Sequence, residues 1–300
     1  AQGRFDKNSE QTNEETLRAA HARAALYYLG QAMKNCPPRE QRRKINDVHD
    51  LIEAIWQYFW AEQWQEAYNL MERESLFADL KQWGGNTILL ELYQMMLLDK
   101  WHPEALQAAR IYNNLGRVCS SLGQVEQAQE YLEQALSILK EVGNRADEGV
   151  TLNYLGRVCD DLGEKKQAQE YLERALNIHK EVGNRRGEGG TLNNLGRFYS
   201  ALGEKQRALE YFEEALVIRR EVGDRRGEGA TLSNLGLIYA DLGQKEQAQK
   251  YYEEALTIHR EVGADGGEGA TLTNLGRIFA DLGEKLPARL YFEEALDIRR

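Results

Sequence analysis

The sequence is poor in the residues that interrupt helices or staple loops: its 300 residues hold only four prolines and three cysteines. So few prolines leave helices free to run long. Cys36, Cys119 and Cys159 are an odd, scattered set that suits a reducing compartment and offers neither a disulfide framework nor a metal quartet. An excess of positive charge is also missing, because 48 acidic side chains outweigh 38 basic ones for a net of −10, the wrong sign for a general nucleic-acid binder. No apolar run approaches the ~20 residues of a bilayer span. The greasiest segment, Ile88 to Leu98, is broken by Glu91 and Gln94. Residues 1–20 lack the apolar stretch of a secretory signal, so the expectation is a cytoplasmic protein without membrane contact. With 42% apolar residues the chain is too hydrophobic to stay disordered, and a helix-rich globular protein is left.

Composition shifts near residue 102. All five tryptophans (56, 60, 64, 83, 101) and all four methionines (33, 71, 95, 96) precede it; of the 27 glycines, Gly3, Gly30, Gly84 and Gly85 precede it and the other 23 follow. Two regions are therefore expected, an irregular helical segment over 1–102 and a repeat array over 103–300. In the second, Leu-Gly recurs at Leu115-Gly116, Leu155-Gly156, Leu195-Gly196, Leu235-Gly236 and Leu275-Gly276, a strict 40-residue period in five copies.

Each copy has the pattern of two amphipathic helices. In the first, Leu152, Leu155, Val158, Cys159 and Leu162 fall at helical spacing, with Gly163 placed to cap in the left-handed conformation. In the second, Ala168, Tyr171, Leu172, Ala175, Leu176 and Val182 form a stripe that ends at Gly183. Lys180, Arg220 and Arg260 sit near the closing ends, where the helix dipole favours cations. Small residues at Gly156, Ala168 and Ala175 allow close approach, and a ring at Tyr171, Phe212, Tyr252 or Phe292 is expected to fill the space between the paired helices.

This pattern resembles the tetratricopeptide repeat (TPR), in which a large residue is followed by Leu-Gly, an aromatic, Ala, an aromatic and Ala. The fourth copy supplies Leu232, Leu235, Gly236, Tyr239, Ala248, Tyr252 and Ala255. Cys119 and Cys159 replace the first aromatic in two copies, and their matching places in successive repeats mark them as packing residues rather than a disulfide pair. The 40-residue length is similar to the kinesin-light-chain type. The resemblance implies an all-α fold, a right-handed α-solenoid of helix pairs with a concave and a convex side. Upstream, helical signals over Glu14–Lys34, Ile45–Trp60, Trp64–Trp83 and Thr87–Leu98 are punctuated by Pro37-Pro38 and Gly84-Gly85, with Tyr58 and Ala67 where the repeat keeps an aromatic and an alanine. A tryptophan-rich preface before such copies resembles the C-terminal half of bacterial STAND signalling ATPases, in which a TPR sensor follows a nucleotide switch. Neither a terminal capping helix nor an initiating methionine is evident, so further domains of a longer chain are expected.

Chemistry-bearing motifs are few. No phosphate-binding GxxxxGK[ST], HExxH helix or Cys/His cluster occurs, and neither a metal, a cofactor nor catalysis is expected. Asp160-Asp161 are adjacent helical residues, pointing about 100° apart, and do not form a general acid–base pair. His179 and His259 match Leu139, Arg219 and Arg299 in other copies, and a position that accepts arginine is expected to be solvated. Gly187-Glu188-Gly189, Gly227-Glu228-Gly229 and Gly267-Glu268-Gly269 lack a preceding strand and the third glycine of a dinucleotide fingerprint, and are expected to be inter-repeat turns. The adjoining Arg185-Arg186 and Arg225-Arg226 give basic knuckles, with nucleic-acid contact disfavoured by the net charge.

The informative set lies on the first helices. Asn114, Asn194, Asn234 and Asn274 precede the leucine of Leu-Gly, with Tyr154 interrupting; Arg117, Arg157, Arg197 and Arg277 follow its glycine, with Leu237 interrupting. A three-residue step puts both on one face. The TPR resemblance implies that these sites line the concave groove, where amides hold an extended peptide's backbone and arginines meet its carboxylates. Asn113, Asn153, Asn193, Ser233 and Thr273 stand where a carboxylate clamp would need lysines, so an internal segment is expected rather than a chain terminus. The leading expectation is thus a non-enzymatic protein or peptide receptor. Against it stands a purely structural use of these residues, with the arginines paired to Asp160, Asp161, Asp241 and Asp281 and the asparagines bonded across repeats. The alternative function is a scaffold that self-associates through its end faces.

Overall fold

A computed structural model describes the backbone of residues 5–98 and 100–298, and the side chains from Asn13 onward. The described residues form fifteen α-helices and no strand. Two compact units divide the chain at Gly143 and Asn144, so the first copy of the repeat falls in the first unit.

The first unit holds α1 (Phe5–Asn35), α2 (His49–Trp60), α3 (Trp64–Arg73), α4 (Leu76–Gln82), α5 (Asn86–Met96), α6 (Ala105–Ser121) and α7 (Val125–Val142). Its core runs from Ile55, Phe59 and Trp64 through Met71, Leu80 and Leu92 to Ile111, Leu115 and Val118. All five tryptophans belong to this unit. The helix expected over Trp64–Trp83 is two helices, broken at Ser75, whose φ of +53° is left-handed. The break is held from outside: the buried Arg42 guanidinium donates to the Glu74 carbonyl at 3.2 Å, the Glu74 carboxylate at 2.9 Å and Asp79 at 3.3 Å. A partner 32 residues away in sequence from Glu74 carries no periodic signal.

The second unit is four helix pairs: α8 (Arg145–Asp161) with α9 (Lys165–Glu181), α10 (Arg185–Ala201) with α11 (Lys205–Glu221), α12 (Arg225–Asp241) with α13 (Lys245–Glu261), and α14 (Asp265–Asp281) with α15 (Lys285–Ile298). Each second helix also packs on the first helix of the next pair, and α8, α10, α12 and α14 touch in succession, which is the stacking of an α-solenoid. The glycines end the helices as their spacing predicts. Gly163 adopts φ +82°; its N–H reaches the Asp160 carbonyl at 3.1 Å, and that of Glu164 reaches the Cys159 carbonyl at 2.8 Å, closing a Schellman motif. After the next glycine, Asn184 caps α10 by accepting from the Gly187 N–H at 2.9 Å.

Packing within a pair turns on the Leu-Gly glycine. A Cβ on Gly156 would lie 2.5 Å from Leu172, on Gly196 2.6 Å from the Phe212 ring, and on Gly236 2.7 Å from Tyr252. This corrects one register: Leu172, not Tyr171, faces Gly156. Tyr171 belongs to the tyrosine series in which Tyr211 and Tyr251 stack on Tyr199 and Tyr239 at centroid separations of 5.4 and 5.2 Å. Cys119 and Cys159 occupy the matching places, fully buried and not joined in a disulfide, as packing residues.

A second set of glycines was expected in turns and is helical instead. Gly187 and Gly189 lie within α10, and Gly227 and Gly229 within α12. Their missing side chains make slots between pairs. A Cβ built on Gly187 would come within 2.6 Å of the His179 ring, and one on Gly267 within 2.6 Å of His259; within the pair, a Cβ on Gly149 would come within 2.9 Å of His179 from the other side. His179, Arg219 and His259 are therefore buried at 1, 8 and 4% exposure, which overturns the expectation of a solvated position. Arg299 falls outside the described residues.

The glutamate between each glycine pair is the anchor of an ion-pair ladder. Buried Glu188 takes Arg185 at 2.7 Å, and Arg185 reaches on to Glu221 at 2.5 Å. Buried Glu228 takes Arg225 and Arg220, each at 2.8 Å, and Arg225 continues to Glu261. Of the basic knuckles, Arg185, Arg186 and Arg225 are thus partners within the fold, with Arg186 held to Asp224 at 3.1 Å.

Two stability changes follow from this packing. Ala264 stands at the one second-unit N-cap of a first helix without a side-chain acceptor, so Ala264→Asn is expected to stabilise by about 1 kcal/mol in thermal melts. Ala215 is fully buried against Leu192 and Ile218; Ala215→Leu is expected to lose about 1–3 kcal/mol by overpacking, and an unchanged melt would contradict this contact.

Candidate functional site

The side-by-side first helices of the second unit present the polar face singled out in the sequence. Their contact is made by amides: Asn194 Nδ2 donates to Asn153 Oδ1 at 2.9 Å between α8 and α10, and Asn234 Nδ2 to Asn193 Oδ1 at 3.0 Å between α10 and α12. Thr231 Oγ1 adds a second bond to Asn193 Oδ1 at 3.1 Å. Between α12 and α14 the rung is Ser233 with Thr271, 3.1 Å apart. Asn153 and Asn193, noted in the sequence only for what they replace, are thus the acceptors that fix the candidate residues Asn194 and Asn234. The signal for Asn193 was the doubled Asn193-Asn194 of copy three, whereas Asn153 stands before Tyr154 and carried none.

Arg157, Asn194 and Arg197 come together. With Asp160, Asp161 and Leu172 they line one small notch between α8 and α10, where Arg157 is half-buried and Arg197 exposed. Of the two aspartates, Asp160 is engaged by a lysine of the second helix, Lys165 Nζ contacting its Oδ1 at 2.5 Å; on α12, Lys205 Nζ donates to the Asp241 backbone carbonyl at 2.9 Å. Farther along, Asn274 is half-buried and Arg277 exposed on α14, and the exposed Leu237 interrupts the row on α12.

The remaining two candidates sit in the first unit and are built into it. Asn114 Nδ2 donates to the Tyr93 hydroxyl at 2.9 Å, and Arg117 Nη1 donates to Asn114 Oδ1 at 3.2 Å. The Arg117 guanidinium lies 4.2 Å from the Phe77 ring centroid, a cation–π stack. Desolvation holds the buried Tyr93 hydroxyl well above the usual phenol range, so it remains a neutral partner for the Asn114 amide.

The arrangement offers amides and guanidinium forks on a surface, without a nucleophile, base and orienting group in mutual reach. Among the described residues, no group of three or more His, Cys, Asp and Glu could hold a metal ion, and no helix is long and apolar enough to cross a membrane. The tetratricopeptide repeat model matches residues 107–181, 187–261 and 229–300. The chain belongs to the tetratricopeptide-repeat family. The TPR fold is that of a protein-interaction module.

Three solved structures share this TPR fold. BtubC (BKLC) from P. vanneervenii is 20% identical, with a TM-score of 0.57 over 72% of this chain and 89% of that one. PH0952 from Pyrococcus horikoshii, a Signal Transduction ATPase with Numerous Domains (STAND) protein with a tetratricopeptide repeat sensor, is 18% identical, with a TM-score of 0.65 over 92% of this chain and 40% of that one. A Rap protein complexed with competence and sporulation factor is 17% identical, with a TM-score of 0.61 over 87% and 77%. At these identities the likeness is one of fold. Comparison with curated proteins returned no match.

The histidine slots give the TPR array a pH dependence of defined sign. Burial holds His179 and His259 below the ordinary imidazole value. In the unfolded chain they titrate near pH 6.5, so on acidification the unfolded state binds protons that the folded state refuses, and stability falls as pH drops below about 6.5. The urea midpoint at pH 5.5 relative to pH 7.5 is expected to fall more for the native chain than for His179→Leu/His259→Leu, which carries the residue of copy one. Equal losses would contradict the buried, neutral assignment.

Proposed function

We propose that this TPR array is a non-enzymatic receptor that binds an extended, partly acidic protein segment along the Asn/Arg face of its first helices, as the sensor region of a larger bacterial STAND-type ATPase. The observation that carries the proposal is the convergence of Arg157, Asn194 and Arg197 on one notch between adjacent first helices. Arginine presents a planar fork matched to a carboxylate, and an asparagine amide offers both a donor and an acceptor to an extended backbone. Asn194 spends one N–H on Asn153, which fixes its orientation and leaves the second N–H and the carbonyl for a ligand. Lysines are missing from the clamp positions, which favours an internal segment over a carboxyl terminus.

Two of the fold relatives support the same reading. PH0952 carries its tetratricopeptide repeats as a sensor within a STAND protein, and this chain covers 40% of its length. The Rap structure holds the competence and sporulation factor on a related scaffold.

Selection of displayed twelve-residue peptides against the chain tests the proposal. Acidic, proline-tolerant extended sequences are expected to enrich. Arg157→Glu/Arg197→Glu is expected to weaken their binding at least tenfold, about 1.4 kcal/mol, with unchanged circular dichroism. Unchanged affinity in the double variant, or no enrichment of acidic peptides, would remove the site.

A further inference from the structure

Stacked tyrosines join the two helices of a pair, and two successive stacks are finished differently. Tyr211 lies on Tyr199 at 5.4 Å between centroids and 3° between planes, and Tyr251 on Tyr239 at 5.2 Å and 15°. Over the first stack lies a cation: the Arg207 guanidinium is 3.7 Å from the Tyr199 ring centroid, and its Nη2 donates to the Tyr199 hydroxyl at 2.7 Å. Covered in this way, Tyr199 is 1% exposed. In copy four the residue matching Arg207 is Gln247, shorter and neutral, and Tyr239 is only half-buried. One fold thus shows a tyrosine stack with a guanidinium on it and the next stack without one.

A carboxylate departs from the repeat at the same place. Glu133, Glu173, Glu213, Glu253 and Glu293 recur at the 40-residue period on the second helices, all exposed. Glu133, Glu173 and Glu253 accept from Gln129, Gln169 and Gln249 at 3.2, 2.7 and 2.8 Å, and Glu293 takes Arg289 at 2.7 Å. Before Glu213 the matching residue is the buried Leu209, which has no donor to offer it. Burial, and after it the neighbouring Tyr251 and Glu213, hold the Tyr239 hydroxyl above the ordinary phenol value, so this carboxylate stands within electrostatic reach of the half-buried stack. Arg220 of α11 pairs with Glu254 of α13, which sets the two second helices side by side, Glu213 on one and Tyr251 on the other.

We propose that the groove between α11 and α13 takes an arginine side chain from a basic segment of a partner protein, its guanidinium stacked on the Tyr239–Tyr251 pair as Arg207 is on Tyr199, and paired with Glu213. A guanidinium can lie flat on a ring and still present its fork to a carboxylate, whereas the point charge of a lysine cannot do both. The net charge of −10 draws a basic segment towards the chain. Lys250, exposed on α13 where copies two and three hold Glu170 and Glu210, opposes it, so the affinity of this one site is modest. The groove differs in helices and in sign from the notch of Arg157 and Arg197, and stands or falls apart from ligand recognition there.

Fluorescence anisotropy of the whole chain with a labelled peptide of four Gly-Ser-Arg repeats tests the proposal, beside the same peptide carrying lysine or neutral citrulline in place of arginine. Saturable binding of the arginine peptide is expected with a Kd on the order of 100 µM, at least fivefold weaker with lysine and absent with citrulline. Gln247→Arg, which installs the residue of copy three and covers the stack from within, is expected to weaken binding at least fivefold with unchanged circular dichroism, and so is Glu213→Gln. Gln167→Arg adds the same charge at the matching place two copies upstream, where Cys159 replaces the first ring, and is expected to leave binding unchanged. No saturable binding, equal affinity for the lysine peptide, or losses as large with Gln167→Arg as with Gln247→Arg would overturn the proposal.

Discussion

The array depends on pairs of helices that approach too closely for a Cβ on one side. At Gly156, Gly196 and Gly236 the first helix presents bare backbone to Leu172, Phe212 and Tyr252 of the second, and any side chain there would occupy space the partner already fills. Because the glycine is fixed, the ring opposite can change from aliphatic to aromatic without changing the spacing. The same device is used again between pairs, where Gly187, Gly227 and Gly267 leave slots for His179, Arg219 and His259. Two tiers of missing side chains thus set the two contacts from which a solenoid is propagated. The glycine cost in helix propensity, about 1 kcal/mol each, is offset by tertiary packing.

Polar chemistry is distributed across the helices in a consistent division. Glu188 and Glu228 are buried and would be costly alone, but each takes guanidinium donors from its own helix or the preceding one. The facing first helices are joined instead by neutral amide and hydroxyl rungs, Asn153–Asn194, Asn193–Asn234 and Ser233–Thr271. On that face the neutral rungs run beside a row of arginines, and Arg157 and Arg197 share their notch with Asp160 and Asp161.

Much of this was legible in the sequence, because helix pairing is a local property repeated at a fixed period. The Leu-Gly register, the left-handed Gly163 and Gly183 and the alternation of helices followed from spacing and caps alone. What failed were inferences about environment. A position shared by histidine and arginine suggested solvent, yet the burial of His179 is created by Gly149 and Gly187, each of which looks unremarkable until the fold places it over the ring. Gly-Glu-Gly suggested a turn because glycine does so on average, whereas here its value is the absent side chain inside a helix. Of the candidate site, Arg157, Asn194 and Arg197 converge, while Asn114 and Arg117 are occupied by Tyr93 and Phe77, residues of the irregular segment where no period could be used to locate them.

The placement of every tryptophan in the first unit has an optical consequence. The second unit, Asn144–Arg300, absorbs and emits through tyrosines alone, several of them in stacked pairs such as Tyr199–Tyr211 and Tyr239–Tyr251. Excitation at the red edge of the indole band therefore interrogates one unit while leaving the other dark, and far-ultraviolet dichroism sums over both. The molecule carries its own means of timing the disassembly of its two units separately, without an introduced label.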